Sequence, residues 1–306
     1  MQKITPFLWF DNEAEEAVGF YVSVFSDSKS KLGTTTRYND ASVEVSGKPS
    51  GSIMTVDFEL YGQQFIAING GPDFEFTPAV SFIVACQSHE EVENLWGKLV
   101  EGGSVLMELD KYPFSEKYGW LKDKYGLSWQ LMLSVNKDSA KQKITPFLMF
   151  TGNNAGRAEE AINEYIKIFH NAKIAKVVRY GKDEMNEAEG TIMHAIFSLE
   201  EQQFAAMDSS YQHGFNFNEA ISFLINCKDQ EEIDYYWNKL KEGGDEKAQI
   251  CGWLKDRFGV SWQVAPDFWK NMYNDTDPEK ANRAMKAMLE MKKIEIEKLK
   301  NAFNDN

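Results

Sequence analysis

Side chains able to bind a metal or act as a nucleophile are few in this chain: four histidines and three cysteines in 306 residues. Zinc, iron or nickel takes imidazole, thiolate or carboxylate, because these supply basic lone pairs or negative charge. His89 opens a helix and His170 and His213 fall in loops, so only His194, on the strand-like run Ile192-Met193-His194-Ala195-Ile196, can point into a pocket. A lone strand histidine is more often a hydrogen-bonded structural residue than a ligand. Cys86 and Cys227 each end an apolar strand and read as buried free thiols. With Cys251 they make an odd number, which fits a reducing cytosol. No Ser or Cys has the strand–turn–helix glycine setting of an activated nucleophile. Gly70-Gly71-Pro72 follows a strand but leads into Asp73-Phe74-Glu75-Phe76, not into the helix a cofactor-binding glycine turn requires. Glu13, Glu15 and Glu16 read as a helix N-terminus, and Glu90, Glu91 and Glu93 as a solvated helix face.

The aromatic residues offer a different chemistry. Trp9, Trp120, Trp129, Trp253 and Trp262 lie on strand-like segments. Aromatic walls with a few neutral polar groups describe a pocket for a small, partly apolar molecule. Strand alternation sets Trp129 opposite to Gln130, so Trp129 and Trp262 read as core. For Trp9 and Trp120, pocket wall and core both stand.

These residues must be positioned by elements that occur twice. Lys3-Ile4-Thr5-Pro6-Phe7-Leu8-Trp9-Phe10 returns as Lys143-Ile144-Thr145-Pro146-Phe147-Leu148-Met149-Phe150, and Gly51-Ser52-Ile53-Met54 as Gly190-Thr191-Ile192-Met193. Ala79–Val84 returns as Ala220–Ile225, Glu101-Gly102-Gly103 as Glu242-Gly243-Gly244, and Gly119–Asp123 as Gly252–Asp256. The unit, about 135 residues, is too long for a solenoid repeat and large enough to hold its own core. Within a copy the periodicity predicts a strand over 3–10, a helix over 13–25 and strands over 32–38, 51–60 and 64–69. A strand over 79–86, a helix over 89–100 and shorter strands over 104–108, 117–122 and 128–133 follow. Each copy is thus two βαβββ modules, and the fold class is α+β with four modules. The expected domains are 1–134 and 143–275, joined by a polar linker over 135–142 and followed by one amphipathic helix within 276–306. That tail carries Ala281, Met285, Met288, Leu289, Ile296, Leu299 and Phe303 as its apolar stripe, and it is expected to dock on the body or on a second subunit.

An apolar fraction of 43% supports real cores, and a net charge of −14 argues against nucleic-acid or anionic-membrane partners. Strand-like sequence begins at once, with no room for a signal peptide, and no apolar run reaches membrane-spanning length. A cytoplasmic protein is expected.

The opening Ile-Thr-Pro-Phe-Leu-x-Phe strand, the paired modules and the closing Gly-Trp-Leu-Lys-Asp-[Lys/Arg]-[Tyr/Phe]-Gly-[Leu/Val]-Ser-Trp-Gln run resemble one family over nearly the whole chain, tail included. It is the PhnB-like branch of the glyoxalase/bleomycin-resistance/dioxygenase superfamily, with the vicinal-oxygen-chelate fold, whose sequences are often labelled 3-demethylubiquinone-9 3-methyltransferase. The resemblance implies that a pair of modules curls into an open barrel around a pocket, with metal ligands at the start of a module's first strand and on its last strand. Those positions here are Thr5, Ser81 and Gln130 in the first copy and Thr145, Ser222 and Gln263 in the second, where metal-dependent members carry mostly His and Glu. A neutral Thr/Ser/Gln set predicts no metal and no cofactor. The expected ligand-binding residues are Thr5, Trp9, Ser81, Trp120 and Gln130 for the first pocket, and Thr145, Met149, His194, Ser222, Trp253 and Gln263 for the second; no catalytic residue is assigned. The expected function is small-molecule binding without a metal. A lyase, isomerase or dioxygenase of the same superfamily is the alternative, and a methyltransferase rests on the label alone. The copies are expected to pack as an internal pseudo-dimer, with a further homodimer left open. The first copy runs from Gly103 to Gly119 where the second runs only from Gly244 to Gly252. The extra segment is expected to cover the first pocket, with Trp9 in its wall.

Overall fold

A computed structural model describes residues 2–27, 29–134 and 142–305; the expected linker therefore lies almost wholly outside the described residues. The first copy runs β1 (Ile4–Phe10), α1 (Ala14–Val24), β2 (Lys31–Arg37), α2 (Asp40–Ser46), β3 (Ile53–Leu60) and β4 (Gln63–Asn69). It continues with β5 (Val80–Cys86), α3 (His89–Val100), β6 (Ser104–Tyr112), β7 (Ser115–Lys122) and β8 (Ser128–Leu133). The second copy repeats this with β9 (Ile144–Phe150), α4 (Ala158–Ile168), β10 (Lys173–Arg179), β11 (Ile192–Leu199) and β12 (Gln202–Asp208). Its closing module is β13 (Ile221–Cys227), α5 (Gln230–Leu240), β14 (Asp245–Ile250), β15 (Trp253–Lys255) and β16 (Ser261–Pro266). Helix α2 is absent from the sequence expectation. It is held by a reciprocal cap in which Ser42 N–H donates to the Asn39 side chain and Asn39 N–H to the Ser42 hydroxyl.

The sheets do not follow the copies. Sheet one has the order β14-β15-β16-β13-β1-β4-β3-β2, and sheet two the order β10-β11-β12-β9-β5-β8-β7-β6. Each joins one module of each copy through antiparallel pairing of their first strands, β1 with β13 and β5 with β9. These are the most apolar strands of their modules, and mutual pairing removes an exposed edge from each. The convex faces meet within a copy instead. Tyr21 of α1, Phe25 just after that helix and Phe82 of β5 pack around Trp129, as Tyr165, Phe169 and Phe223 pack around Trp262. Each copy keeps an aromatic core between two sheets, while each concave face is shared between copies. The copy-by-copy pockets expected from the sequence are corrected accordingly.

The repeated motifs are staples of this framework. Gly102 and Gly243 have positive φ, and a Cβ on Gly103 or Gly244 would lie 2.1 or 2.0 Å from the carbonyl oxygen of Lys122 or Lys255. The following Asp123 accepts hydrogen bonds from the N–H groups of Tyr125 and Leu127 and from Trp129 Nε1 at 2.8 Å. Asp256 accepts from Phe258 and Val260 N–H, from Trp262 Nε1 at 2.9 Å and from the Tyr165 hydroxyl at 2.7 Å. The Lys-Asp…Ser-Trp-Gln run thus closes a tight turn with a buried carboxylate.

The tail is three helices, not one: α6 (Trp269–Tyr273), α7 (Pro278–Leu289) and α8 (Ile296–Asn304). The long apolar stripe is interrupted because the carbonyls of Met291 and Lys292 leave the helix to accept from Cys251 and Gly252 N–H, and Ile294 is buried beside Gly252. Asp277 caps α7 through Glu279 and Lys280 N–H, with Pro278 in the first turn. Among the described residues no helix is long and apolar enough to cross a membrane.

Candidate functional site

Strand alternation and register place the sequence-selected residues on two concave faces. On sheet one, Thr5 and Trp9 of the first copy share a face with Ser222, Trp253 and Gln263 of the second. On sheet two, Ser81, Trp120 and Gln130 of the first copy face the same way as Thr145, Met149 and His194 of the second. The residues are therefore brought together, in groups different from those expected.

Sheet one holds a cavity of about 200 Å³ with an apolar floor that includes Phe7, Ile66, Leu224 and Trp253. Its polar lining residues include Thr36, Tyr38, Ser42, Thr55 and Gln263, with the Thr36 and Thr55 hydroxyls bonded to each other, and its outer wall is the tail, through Trp269, Tyr273, Met285 and Met288. A second, more polar lobe of about 280 Å³ lies on the same face beside Thr5, Asp57, Glu59 and Asn226. Trp269 and Lys270 border both lobes, and Lys270 forms an ion pair with Asp57. Trp9 lies outside the cavity: its Nε1 donates to Gly71 O at 2.8 Å, and its ring meets Phe74 and Trp253 edge-on. Sequence reasoning missed Thr36, Tyr38 and all of α6. The tail's apolar stripe signalled docking, but nothing in it said which face it would cover.

The face of sheet two is closed by its own side chains. Ile83, Phe147, Met149 and Ala205 are buried together, with Trp120, Met132, Met207 and Phe215 packed against them. His194 stacks over Phe147 at 6.4 Å, and burial with nearby Lys176 lowers its pKa, leaving a neutral ring. The extra segment of the first copy is the β6–β7 hairpin, which belongs to this sheet. It therefore does not border the cavity on the face that carries Trp9.

The two faces differ in their polar bonding. On sheet two, Gln130 Nε2 donates to Ser81 Oγ at 2.8 Å, the Tyr118 hydroxyl donates to Gln130 Oε1 at 2.8 Å, and Trp120 Nε1 donates to Ser128 Oγ at 2.7 Å. On sheet one, Gln263 Nε2 donates to Ser222 Oγ at 2.9 Å, but Cys251 stands in place of Tyr118 and Trp253 stands edge-on to Phe7. Ser261 Oγ is consequently buried without a hydrogen-bond partner among the described residues, whereas Gln263 Oε1 and Trp253 Nε1 make no bond to them but are not fully buried.

The transition metal implied by the fold family does not fit either face. The ligand positions present hydroxyls and amides already engaged with each other, and among the described residues no group of three or more His, Cys, Asp or Glu could hold an ion. Cys251, at the cavity edge, is held neutral by burial, which pushes its thiol up to about 11.

Two eight-stranded mixed sheets built from βαβββ modules, with helices packed on one face of each, define the glyoxalase-type, vicinal-oxygen-chelate class. A single-substitution variant of glyoxalase I from Zea mays superposes with a TM-score of 0.55 at 13% identity, covering 87% of this chain and 93% of that one. Glyoxalase I from Zea mays itself gives 0.51 at 13% identity, covering 89% and 95%. The chain belongs to the 3-demethylubiquinone-9 3-methyltransferase family, whose pattern matches residues 2–132 and again 142–265, leaving the tail outside. A Bacillus cereus PhnB protein described by that same activity is 43% identical, covering 44% of this chain and 100% of its own, with a TM-score of 0.39. No protein of curated function matches the sequence.

Proposed function

We propose that this protein binds a small, largely apolar molecule in the cavity on sheet one, between β1–β4 of the first copy and β13–β16 of the second, without a transition metal. The observation that carries this reading is a preformed apolar cavity of about 200 Å³ with a few convergent neutral polar groups, on the face where the fold family places its sites. Binding is favoured over catalysis because the titratable groups around the cavity are not poised to move a proton near neutral pH. Burial pushes Tyr38 up to about 12, raises Tyr273 and keeps Cys251 protonated, while Lys270 is paired with Asp57. Methyl transfer has no support beyond the family label: Gly70 and Gly71 lie in the loop after β4. The test is elemental analysis and native mass spectrometry of protein purified without chelator. The expected result is metal far below one equivalent per chain, with neutral small molecules as the adducts; close to one equivalent of metal overturns the reading.

A further inference from the structure

The cavity on sheet one is built from the same Trp/Ser/Gln motif as the face of sheet two, yet its polar groups are left open. Tyr118 satisfies Gln130 Oε1 because β7 continues beyond Trp120. In the second copy the strand stops: Cys251 has φ +51°, Gly252 φ +83°, and β15 begins only at Trp253. Gln263 is only 8% exposed and lines the cavity, and its Oε1 has no partner in the protein. Trp253, its register partner across β15–β16, does not make the bond that Trp120 makes: the Ser261 hydroxyl is left buried and unpaired, and the half-buried Trp253 keeps its N–H free. Gln263 and Trp253 both line the cavity, so the free carbonyl of one and the free N–H of the other are open to a molecule held there.

We infer that the cavity recognises an uncharged molecule of one ring with a hydroxyl, which donates to Gln263 Oε1 and accepts from Trp253 Nε1. This rests on the cavity being the ligand site. Size sets the ring count: a cavity of roughly 150 Å³ admits benzene, and about 200 Å³ admits one ring with a short substituent. Charge is set by the wall, whose one ionised side chain, Lys270, is already paired with Asp57, so an anion or cation would lie uncompensated. A hydroxyl is favoured over an alkyl amine because the amine is protonated near neutral pH, which removes its acceptor lone pair and brings an uncompensated charge into the cavity.

The experiment is a calorimetric titration of the full-length protein with phenol, toluene and benzoate, which differ little in shape. Phenol is expected to bind roughly five- to tenfold more tightly than toluene, the range of one net neutral hydrogen bond, and benzoate not measurably. Gln263→Met, which keeps an unbranched side chain and removes the acceptor, should cut the preference for phenol severalfold, leaving only the share due to Trp253 Nε1, while toluene binding persists. Electron density for a phenol hydroxyl within hydrogen-bond distance of Gln263 Oε1 gives the same answer without a variant. Equal affinities of phenol and toluene for the wild type overturn the hydroxyl recognition and leave the cavity reading standing. If neither binds, the cavity reading itself falls.

Discussion

The two concave faces of this protein carry the same Thr/Ser/Trp/Gln motif in the same register and end in different states. On sheet two the motif is closed on itself: Ser81, Gln130 and Tyr118 form one hydrogen-bonded chain, and Met149 and Phe147 fill the space in front of it. On sheet one Cys251 replaces Tyr118, Trp253 stands away from Ser261, and a cavity remains that is walled by the tail. The motif fixes the turn and the position of the glutamine; what closes the end of the strand decides whether that glutamine is structural or available. In the first copy the closing element is the long β6–β7 hairpin. In the second it is a separate segment, whose Met291 and Lys292 carbonyls take the N–H groups of Cys251 and Gly252.

The largest expected effect tests what the two halves share. Asp123→Asn and Asp256→Asn keep an oxygen for two backbone N–H groups but turn an amide NH2 toward the indole of Trp129 or Trp262. Each should cost about 3 kcal/mol in urea unfolding, with Asp256 the more sensitive because it also accepts from the Tyr165 hydroxyl. Near-equal, small losses would show that the turn is not held by this carboxylate. The pH dependence follows from the same groups. Burial pushes both carboxyls up to about 6, against the pull of their hydrogen-bond donors. A raised carboxyl pKa means the folded state binds the proton more tightly than the unfolded chain. The contribution of these groups is therefore complete below the ordinary carboxylate range and is lost as pH rises through about 6. Stability profiles from pH 4 to 7 should show that decline in the wild type and a shallower one in either Asn variant.

Much of this frame is legible in the sequence, because the staples are short and repeat. Glu-Gly-Gly needs glycine twice, once for positive φ and once for contact with the Lys122 or Lys255 carbonyl, and period-two alternation already sets Trp129 against Gln130. Strand partners are another matter. Nothing local tells β1 to pair with β13 rather than with β5, since β5 and β13 present nearly the same sequence and either pairing buries the same apolar edge. The residues selected for the sites share faces, but the cross-copy pairing regroups them. The tail's stripe from Ala281 to Phe303 is amphipathic throughout, and only the contact at Cys251 and Gly252 breaks it after Leu289.

A smaller effect separates the faces. Gln130→Met removes two hydrogen bonds and leaves the buried Tyr118 and Ser81 hydroxyls without partners, for about 2–3 kcal/mol. Gln263→Met removes only one bond, to Ser222, so its cost should stay at about 1 kcal/mol. Parallel chemical denaturation of the two variants reads the difference directly. Equal costs would mean that the two glutamines are equally engaged and would erase the asymmetry.

The smallest effect concerns the wall itself. Lys270 reaches from α6 to Asp57 on β3, but both side chains keep about a third of their surface in water, at 31% and 28%, so solvent screens the pair. Partly exposed pairs of this kind contribute about 0–1 kcal/mol, and Lys270→Met should lower global stability by no more than that. Its local effect should be larger, because α6 is one short helix held over the cavity by Trp269, Tyr273 and this ion pair. Amide hydrogen exchange in 269–274 should accelerate in Lys270→Met, while the β6–β7 hairpin, continuous with its sheet, keeps wild-type protection. Salt screens the Lys270–Asp57 attraction, so it should accelerate exchange of α6 in the wild type and change it little in the variant, which has no pair to screen. Unchanged protection over 269–274 would mean that apolar contact alone holds the wall, and that the two faces differ in shape but not in how firmly they are closed.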